Sequence, residues 1–284
     1  MSAPSNASGN IIKRKIPRGA ESLPIVGLGT WQAFDIAGDT NALREASEAL
    51  KTFVDMGGAL IDSSPMYGSA ETVAGELAAA LRIHPQLFVA TKVWTSGQDA
   101  GIRQMESSFK KLRIDRALDL MQVHNLLDTA AHLATLRAWK RAGRVRYLGI
   151  THYTASAHQA LARALESEAV DFLQVNYSIA EPEADRRLLD VAAATGTAVI
   201  VNRPFAEGAM FSRVKGKQLP TFAAELGCTS WAQLFLKWIC GHPAVTCAIP
   251  GTRNAKHVAD NLGAAVGVLP DTAMRKRIKE AFDA

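Results

Sequence analysis

The sequence predicts an α/β protein, a (β/α)8 TIM barrel with an N-terminal β-hairpin cap. Short apolar segments alternate with amphipathic stretches through nearly the whole chain, which is the pattern of parallel strands joined by helices. The 284 residues suffice for such a barrel, which needs about 250. Polar, chemically active side chains stand at the ends of several apolar segments, where a barrel carries its functional groups.

The first predicted element is the hairpin. Residues 11–16 and 23–26 are two short β-rich segments around a turn at 17–22 that contains a proline and a glycine. We expect this hairpin to cover the bottom of the barrel. The polar residues 1–10 are predicted to be a flexible segment, so that 11–284 form a single domain.

Eight apolar segments are the predicted strands of the barrel. They cover residues 25–29, 59–61, 87–91, 118–123, 145–150, 172–176, 198–201 and 245–249. Between them apolar residues recur at helical spacing, with Ser69 a predicted helix N-cap and Gly143 a predicted helix end. The alternative fold is an open doubly wound sheet, which usually carries a G-x-G-x-x-G motif after an early strand. Residues 27–32 lack the third glycine of that motif.

Composition argues against several kinds of partner. The net charge of +5 comes from scattered residues, whereas nucleic-acid binding needs a dense basic patch, so we expect an anionic small molecule as the ligand instead.

No apolar run is long enough to span a membrane. Cys228, Cys240 and Cys247 lack metal-ligand spacing and predict buried thiols in a reducing compartment. Because residues 1–10 also lack the apolar stretch of a secretory signal, we expect a cytoplasmic protein. His152 and His158 have no evident carboxylate or cysteine partner, and no metal site is predicted.

Four side chains at the ends of three consecutive strand segments predict a catalytic site. Asp62 and Tyr67 follow the segment 59–61, Lys92 ends the segment that begins at Leu87, and His124 follows 118–123. A phenol has a pKa of about 10 and is a poor proton donor by itself, but a nearby cation stabilises its phenolate. Each residue alone has an ordinary structural interpretation, whereas their joint placement favours a site.

Five motifs in this order and at these spacings make the chain resemble the aldo-keto reductase family over nearly its whole length. They are Gly27-Leu-Gly-Thr-Trp31, Ile61-Asp-Ser-Ser-Pro-Met-Tyr-Gly68, Thr91-Lys92, Val123-His124 and Leu148-Gly-Ile-Thr151. The resemblance implies hydride transfer from a reduced nicotinamide to a carbonyl carbon, with Asp62, Tyr67, Lys92 and His124 as the catalytic tetrad. Tyr67 would donate the proton, Lys92 would lower its pKa, Asp62 would hold Lys92, and His124 would orient the carbonyl.

The resemblance also implies a dinucleotide site, for NADPH with NADH possible. Thr151, His152 and Gln174 match residues that bind the carboxamide, and residues 204–208 match a segment that contacts the pyrophosphate. Arg203 stands near the position of an expected stacking aromatic, and it could lie over the ring or pair with a carboxylate at the rim, with Phe205 as a substitute for the aromatic. The full set is Gly29, Thr30, Trp31, Asp62, Thr151, His152, Gln174, Asn202, Arg203, Pro204, Phe205, Gly208, Gly251, Thr252, Arg253, His257 and Asn261.

The substrate pocket is expected to be open and weakly selective. Trp31, Met66, Trp94 and Asn125 are its predicted lining, and the loop after His124 and the C-terminal segment are both short for the family. These features predict a reductase of aldehydes and activated ketones that is a monomer or weak oligomer. A cofactor-binding sensor or regulatory subunit on the same fold is the alternative. A barrel enzyme with phosphate chemistry is disfavoured because no carboxylates cluster at the strand ends.

Overall fold

The N-terminal hairpin forms where the sequence predicts it. A computed structural model describes residues 10–284. Strand β1 (Lys13–Lys15) pairs with the antiparallel strand β2 (Ser22–Pro24), with Arg14 opposite Leu23. Residues 1–9, most of the segment predicted to be flexible, lie outside the described residues, and that prediction remains open.

Eight parallel strands form the barrel, which confirms the predicted fold class. Neighbouring strands along the chain are neighbours in the sheet, and the bridges Val26–Ala248 and Gly29–Gly251 connect its two edges. The strands are β3 (Leu28–Gly29), β4 (Leu60–Asp62), β5 (Phe88–Val93), β6 (Leu118–His124), β7 (Val145–Thr151), β8 (Phe172–Asn176), β9 (Ala198–Asn202) and β10 (Val245–Ala248). For seven of the eight strands, both ends lie within two residues of the predicted segment. Strand β3 begins three residues later than predicted.

Helices follow the strands and cover the outside of the barrel. They are α1 (Thr40–Asp55), α2 (Ala70–Leu81), α3 (Gln98–Lys111), α4 (Thr129–Arg141), α5 (His158–Ser167), α6 (Leu188–Ala194), α7 (Ala209–Arg213), α8 (Trp231–Cys240), α9 (Ala255–Gly263) and α10 (Thr272–Asp283). None of the helices within residues 10–284 is long and apolar enough to cross a membrane.

Two helix ends show where local sequence signals succeed and fail. Gly143, with φ of +71°, follows α4 as the terminal glycine that the sequence predicts. Ser69 precedes α2 as predicted but makes no capping hydrogen bond. Its backbone N–H and its hydroxyl both donate to Asp35 Oδ1 instead, each at 2.8 Å, because the loop after β3 brings this carboxylate within reach.

The barrel interior is apolar at the bottom and polar at the top. Side chains two residues apart on a strand share a face, and the lower inward positions form a buried apolar cluster with Ile16 and Leu23 of the hairpin. The barrel members of this cluster are Leu60, Phe88, Ala90, Leu120, Tyr147, Phe172, Ala198, Ile200, Cys247 and Ile249. The hairpin therefore closes the barrel at its N-terminal end, which leaves the C-terminal ends of the strands as the open face.

We predict that Ile16→Ala destabilises the fold by about 2–5 kcal/mol, because it removes a fully buried side chain and leaves a cavity under the barrel. Urea unfolding followed by circular dichroism measures this change. Lys15→Ala, at the exposed last residue of β1 next to Ile16, is the control and should change the free energy of unfolding by less than about 0.5 kcal/mol. Equal effects of the two substitutions would contradict the role of the hairpin as a plug.

Candidate active site at the barrel mouth

A cavity of about 620 Å³ opens at the C-terminal ends of the barrel strands. The polar top layer of the barrel interior forms its floor, and the loops after the strands form its walls. Its lining comprises Gly29, Thr30, Trp31, Gln32, Asp62, Met66, Tyr67, Trp94, His124, Asn125, Thr151, Tyr153, Gln174, Asn202, Arg203, Pro204, Phe205, Glu207, Gly208, Phe211, Ile249, Pro250 and Gly251.

A buried ion pair lies beneath the floor of this cavity. Lys92 is completely buried, and its Nζ donates to Asp62 Oδ2 and to the carbonyl oxygen of Ser63, both at 2.6 Å. Burial by itself lowers the pKa of Lys92, but the charge of Asp62, the phenolate that Tyr67 forms only at high pH, and hydrogen bonds to both groups outweigh it and raise the pKa above its ordinary value. Lys92 is therefore a cation at neutral pH.

The second oxygen of Asp62 is held by two amides. Gln174 Nε2 donates to Asp62 Oδ1 at 2.8 Å, and Gln122 Nε2 donates to the same atom at 3.3 Å. With Lys92 on Oδ2, the carboxylate accepts from three donors. Gln122 is absent from the residues predicted from the sequence. Its position two residues before His124 on the same strand face is the signal that could have found it.

Tyr67 lies beside this ion pair. Lys92 Nζ is 5.0 Å from the centroid of the Tyr67 ring. Burial raises the pKa of Tyr67, and the opposing effect of Lys92 is the smaller of the two, so that the net pKa lies above 10.0. The contribution of Lys92 has the expected sign, but the net shift is opposite to the one expected from the sequence. The phenol is thus fully protonated near neutral pH.

His124 is a neutral imidazole in the same floor. Burial, assisted by the charges of Lys92 and His152, lowers its pKa to about 2. Its Nδ1 lies 3.1 Å from Ser64 Oγ, and its ring meets Tyr67 edge-on at 6.0 Å between centroids. If the Ser64 hydroxyl donates to Nδ1, the ring proton of this neutral imidazole is on Nε2, and in the other tautomer Nδ1 donates to Ser64 Oγ. Ser64 is a further neighbour of the site that the sequence did not reveal.

The loops of the cavity contain strained backbone. Non-glycine residues with positive φ are uncommon and concentrate at functional sites. Four of them line the cavity here: Gln32 (φ +57°), Asn125 (φ +54°), Arg203 (φ +50°) and Glu207 (φ +55°). This strain is consistent with walls whose shape is fixed by surrounding contacts.

Arg203 pairs with carboxylates at the cavity rim. Its nitrogens lie 3.4 Å from Glu181 Oε1 and 3.5 Å from Glu207 Oε1, and one also donates to the carbonyl oxygen of Tyr153 at 3.3 Å. The sequence left two positions open for Arg203, one over the nicotinamide ring and one paired with a carboxylate at the rim. In the structure, Arg203 pairs with carboxylates. Phe205, the proposed aromatic substitute, lines the cavity and packs against Phe211 at 4.9 Å between ring centroids.

The structure brings most of the proposed cofactor residues to this cavity, but not His152. The His152 ring faces its own loop, with Nδ1 accepting from the backbone N–H groups of Tyr153 at 3.0 Å and Thr154 at 3.3 Å. Its carbonyl oxygen accepts from Asn202 Nδ2 at 3.1 Å. Tyr153, which the sequence analysis did not select, lines the cavity in its place.

A second depression of about 400 Å³ lies next to the cavity and contains Thr252 and Arg253. It shares Trp31, Gln32 and Gly251 with the first and is completed by Ala33, Glu45 and Asn254. Arg253 Nε lies 3.2 Å from Glu45 Oε2 of α1. His257 is exposed and Asn261 is buried on α9, and neither belongs to the lining of the two cavities.

Other cavity residues were not evident in the sequence. Besides Tyr153 they are Gln32 and Phe211. Glu207 also lines the cavity and lies within the segment 204–208 that was expected to contact the pyrophosphate, and Ile249 and Pro250 directly precede the predicted Gly251. Within residues 10–284, no three His, Cys, Asp or Glu side chains are grouped so that they could hold a metal ion. The three cysteines are buried and unpaired, as the sequence predicts.

Comparison with known proteins gives a consistent result. A sequence model of the aldo/keto reductase family matches residues 25–281. Methylglyoxal reductase YeaE of Escherichia coli (strain K12) is 28% identical over 253 residues, with 86% of each chain covered. Aldo-keto reductase yakc of Schizosaccharomyces pombe, whose name adds NADP(+), is 25% identical, with 96% of this chain and 92% of the relative covered.

Solved structures agree with these sequence matches. The thermostable aldo-keto reductase Tm1743, crystallised with the inhibitor epalrestat, superposes with a TM-score of 0.78 at 25% identity, covering 95% of this chain and 99% of that one. An aldo/keto reductase from Klebsiella pneumoniae in complex with NADP and acetate gives a TM-score of 0.75 at 25% identity, covering 92% of both chains.

We predict that His124 contributes to acid sensitivity. Because its pKa falls from 6.5 to about 2 on folding, the unfolded state binds more protons below pH 6.5, and stability is lost as the pH falls through that range. Between pH 7 and pH 5, wild type should lose about 2 kcal/mol more unfolding free energy than His124→Gln. Urea unfolding at both pH values measures this difference.

The exposed His257 gives the matched control for that experiment. His257→Gln should retain the pH dependence of wild type. An unchanged pH dependence in His124→Gln would mean that His124 is not held neutral in the folded protein.

Proposed function

The chain belongs to the aldo/keto reductase family and is an NAD(P)H-dependent carbonyl oxidoreductase, and from this premise we propose that it reduces aldehydes and activated ketones to alcohols with NADPH, with Tyr67 as proton donor. The observation that carries the proposal is the buried Lys92–Asp62 ion pair directly beside Tyr67 and His124 at the cavity floor. Tyr153 and Arg203 also line this cavity, but the Arg203 guanidinium pairs with Glu181 and Glu207, whereas Lys92 is completely buried next to Tyr67.

The cavity has the polar groups that a nicotinamide cofactor needs. Asn202 Oδ1 is buried without a hydrogen-bond partner, and the amide of Gln174 and the hydroxyl of Thr151 border the same space. These residues would hold the nicotinamide end, and Gly251, Thr252 and Arg253 would hold the adenosine end in the second depression. When bound there, a reduced nicotinamide would supply the hydride for the carbonyl carbon.

Tyr67 supplies the proton to the carbonyl oxygen. Its raised pKa keeps the phenol protonated before reaction, and the neighbouring Lys92 cation stabilises the negative charge that develops on the phenolate oxygen. Asp62 fixes the position of Lys92 by a charge-assisted hydrogen bond of 2.6 Å. The two glutamine amides on the other oxygen hold the carboxylate in the orientation that this bond requires.

His124 orients the substrate. A neutral imidazole with its proton on Nε2 donates a hydrogen bond without adding a second cation beside Lys92. Ser64 fixes this tautomer through Nδ1. The carbonyl oxygen is thereby placed between two donors, Tyr67 and His124, and is polarised toward attack at its carbon.

The walls favour apolar carbonyl compounds. Trp31, Met66 and Trp94 line the cavity with roughly 40–45% of their surface exposed, which is unusual for large apolar side chains. Curated relatives named methylglyoxal reductases make a small 2-oxoaldehyde a second candidate substrate class. Both classes are carbonyls activated toward hydride addition.

The preference for NADPH rests on Arg253. Its guanidinium is suited to a 2′-phosphate, which binds a planar bidentate donor well. The Glu45 carboxylate pairs with this guanidinium, with Oε2 3.2 Å from Arg253 Nε, and the phosphate would have to displace it. This competition predicts a moderate preference for NADPH, with NADH as a weaker cofactor.

A cytoplasmic location and a monomeric or weakly associating state belong to the same proposal. The cytoplasmic location is proposed because three unpaired thiols suit a reducing compartment.

We predict that Tyr67→Phe abolishes turnover while NADPH still binds. Proton donation contributes about 10²–10⁴-fold to rates, and the substitution removes only the hydroxyl. Loss of absorbance at 340 nm with 4-nitrobenzaldehyde measures turnover, and tryptophan fluorescence quenching measures NADPH binding.

Tyr147→Phe is the control for Tyr67→Phe. Its ring lies in the apolar cluster at the bottom of the barrel and not at the cavity, so turnover should persist. Full activity of Tyr67→Phe would exclude Tyr67 as the acid. Tight NADPH binding by wild type with no turnover of any carbonyl would favour a cofactor sensor.

We also predict that Arg253→Ala weakens NADPH binding about fivefold to tenfold and leaves NADH binding nearly unchanged, because it removes one charge-assisted contact to a phosphate that NADH lacks. Fluorescence titration of both dinucleotides provides the two dissociation constants. Lys256→Ala, an exposed residue at the start of α9, is the control for simple loss of positive charge. Equal weakening of both dinucleotides would place the 2′-phosphate elsewhere.

A further inference from the structure

Trp94 forms the cavity wall next to His124. It follows directly after β5, and its ring centroid is 6.4 Å from that of His124 at an interplanar angle of 62°. The side chain is 41% exposed, so one part of the indole contacts the site and another part is open to the cavity. A substrate bound at His124 would therefore lie against this indole.

The backbone of Trp94 is held by a single side chain from a neighbouring helix. Gln104 of α3 accepts a hydrogen bond from the Trp94 backbone N–H at 2.5 Å and donates from Nε2 to the Trp94 carbonyl oxygen at 3.1 Å. The regular strand pairing of β5 ends at Val93, one residue earlier. The amide of Gln104 thus satisfies the two backbone groups that a neighbouring strand would otherwise bind.

The rest of this loop is also fixed. His132 Nε2 of α4 lies 2.6 Å from the Thr95 carbonyl oxygen, and the Gly97 backbone N–H donates to Asp128 Oδ2 at 2.7 Å. Residues 94–97 are therefore bound to α3, to α4 and to the loop that follows His124. Among these contacts, only that of Gln104 acts on the residue that faces the substrate.

We propose that Gln104 is a positioning residue that sets substrate specificity by holding Trp94 as a stationary wall beside His124. This inference rests on the proposed carbonyl reduction. A wall that is already ordered costs a flat aromatic substrate no side-chain ordering when it binds, and aromatic contacts with it add about 0.5–1.5 kcal/mol, equal to about twofold to tenfold in affinity. A small aliphatic aldehyde gains little from this wall. Gln104 therefore favours aromatic over small aliphatic carbonyl compounds.

The test compares Gln104→Leu with wild type on 4-nitrobenzaldehyde and propanal at saturating NADPH. Leucine has a side chain of similar size to glutamine but is apolar and makes neither hydrogen bond. The ratio of kcat/KM for 4-nitrobenzaldehyde to kcat/KM for propanal should fall about twofold to tenfold through a higher KM for the aromatic aldehyde, with kcat for propanal unchanged. Gln104→Glu, which retains the acceptor for the Trp94 N–H but not the donor, should give an intermediate ratio.

Gln98→Leu is the matched control. Gln98 lies on the same helix, donates to Thr135 Oγ1 at 3.3 Å and is not part of the cavity lining. It should retain the selectivity of wild type. An unchanged ratio in Gln104→Leu, or an equal loss for both aldehydes, would overturn the inference.

A second measurement separates this inference from the proposed function. Acrylamide quenching of Trp94 fluorescence, obtained as the difference between proteins with and without Trp94→Phe, should increase in Gln104→Leu because the released indole is more accessible. This result does not depend on turnover. If wild type reduces neither aldehyde, the proposed function fails, and unchanged quenching would then overturn the positioning role independently.

Discussion

The ion pair between Lys92 and Asp62 is the interaction on which the rest of the site depends. Burying a lysine and a carboxylate costs several kcal/mol for each ion, unless their geometry is good and their remaining hydrogen-bonding capacity is satisfied. Both conditions are met, because Ser63 binds the ammonium and two glutamine amides bind the carboxylate. The barrel supplies this arrangement by bringing inward positions of β4, β5, β6 and β8 to one level. A closed sheet is needed for that convergence, since an open sheet would place β4 and β8 far apart.

This ion pair controls its neighbours through charge and exclusion of water. Its positive end disfavours a second cation, and together with burial it keeps His124 neutral. The same burial keeps Tyr67 protonated even though Lys92 acts in the opposite direction. The result is a protonated phenol and a neutral imidazole side by side. The proposed reaction requires that Lys92 stabilises the phenolate of Tyr67 more strongly than the phenol, which is electrostatic preorganisation.

Around this floor, the cavity walls are loops that are held in place by side chains from other elements. Gln104 holds Trp94, and Asp128 holds Gly97. At the opposite rim, Arg203 joins the loops that follow β7, β8 and β9 through Tyr153, Glu181 and Glu207. The strained backbone at Arg203 persists because these contacts over-determine it. A stiff barrel carrying braced loops explains how one floor could serve different carbonyl compounds.

The sequence by itself determined the barrel, the order of its strands and the convergence of Asp62, Tyr67, Lys92 and His124. These depend on short-range patterns: apolar runs, helical spacing and the position of a polar residue at a strand end. Only the tertiary structure decided the partners of Arg203, the pairing of Arg253 with Glu45 from 208 residues away, the amide of Gln122 on Asp62, and the orientation of His152 away from the cavity. It also decided the sign of the Tyr67 pKa shift. The physical reason is that each of these contacts and the pKa shift depend on groups that are distant in sequence. A hydrogen bond or a charge effect competes with desolvation, and the outcome is set by distances and burial that no local sequence pattern contains.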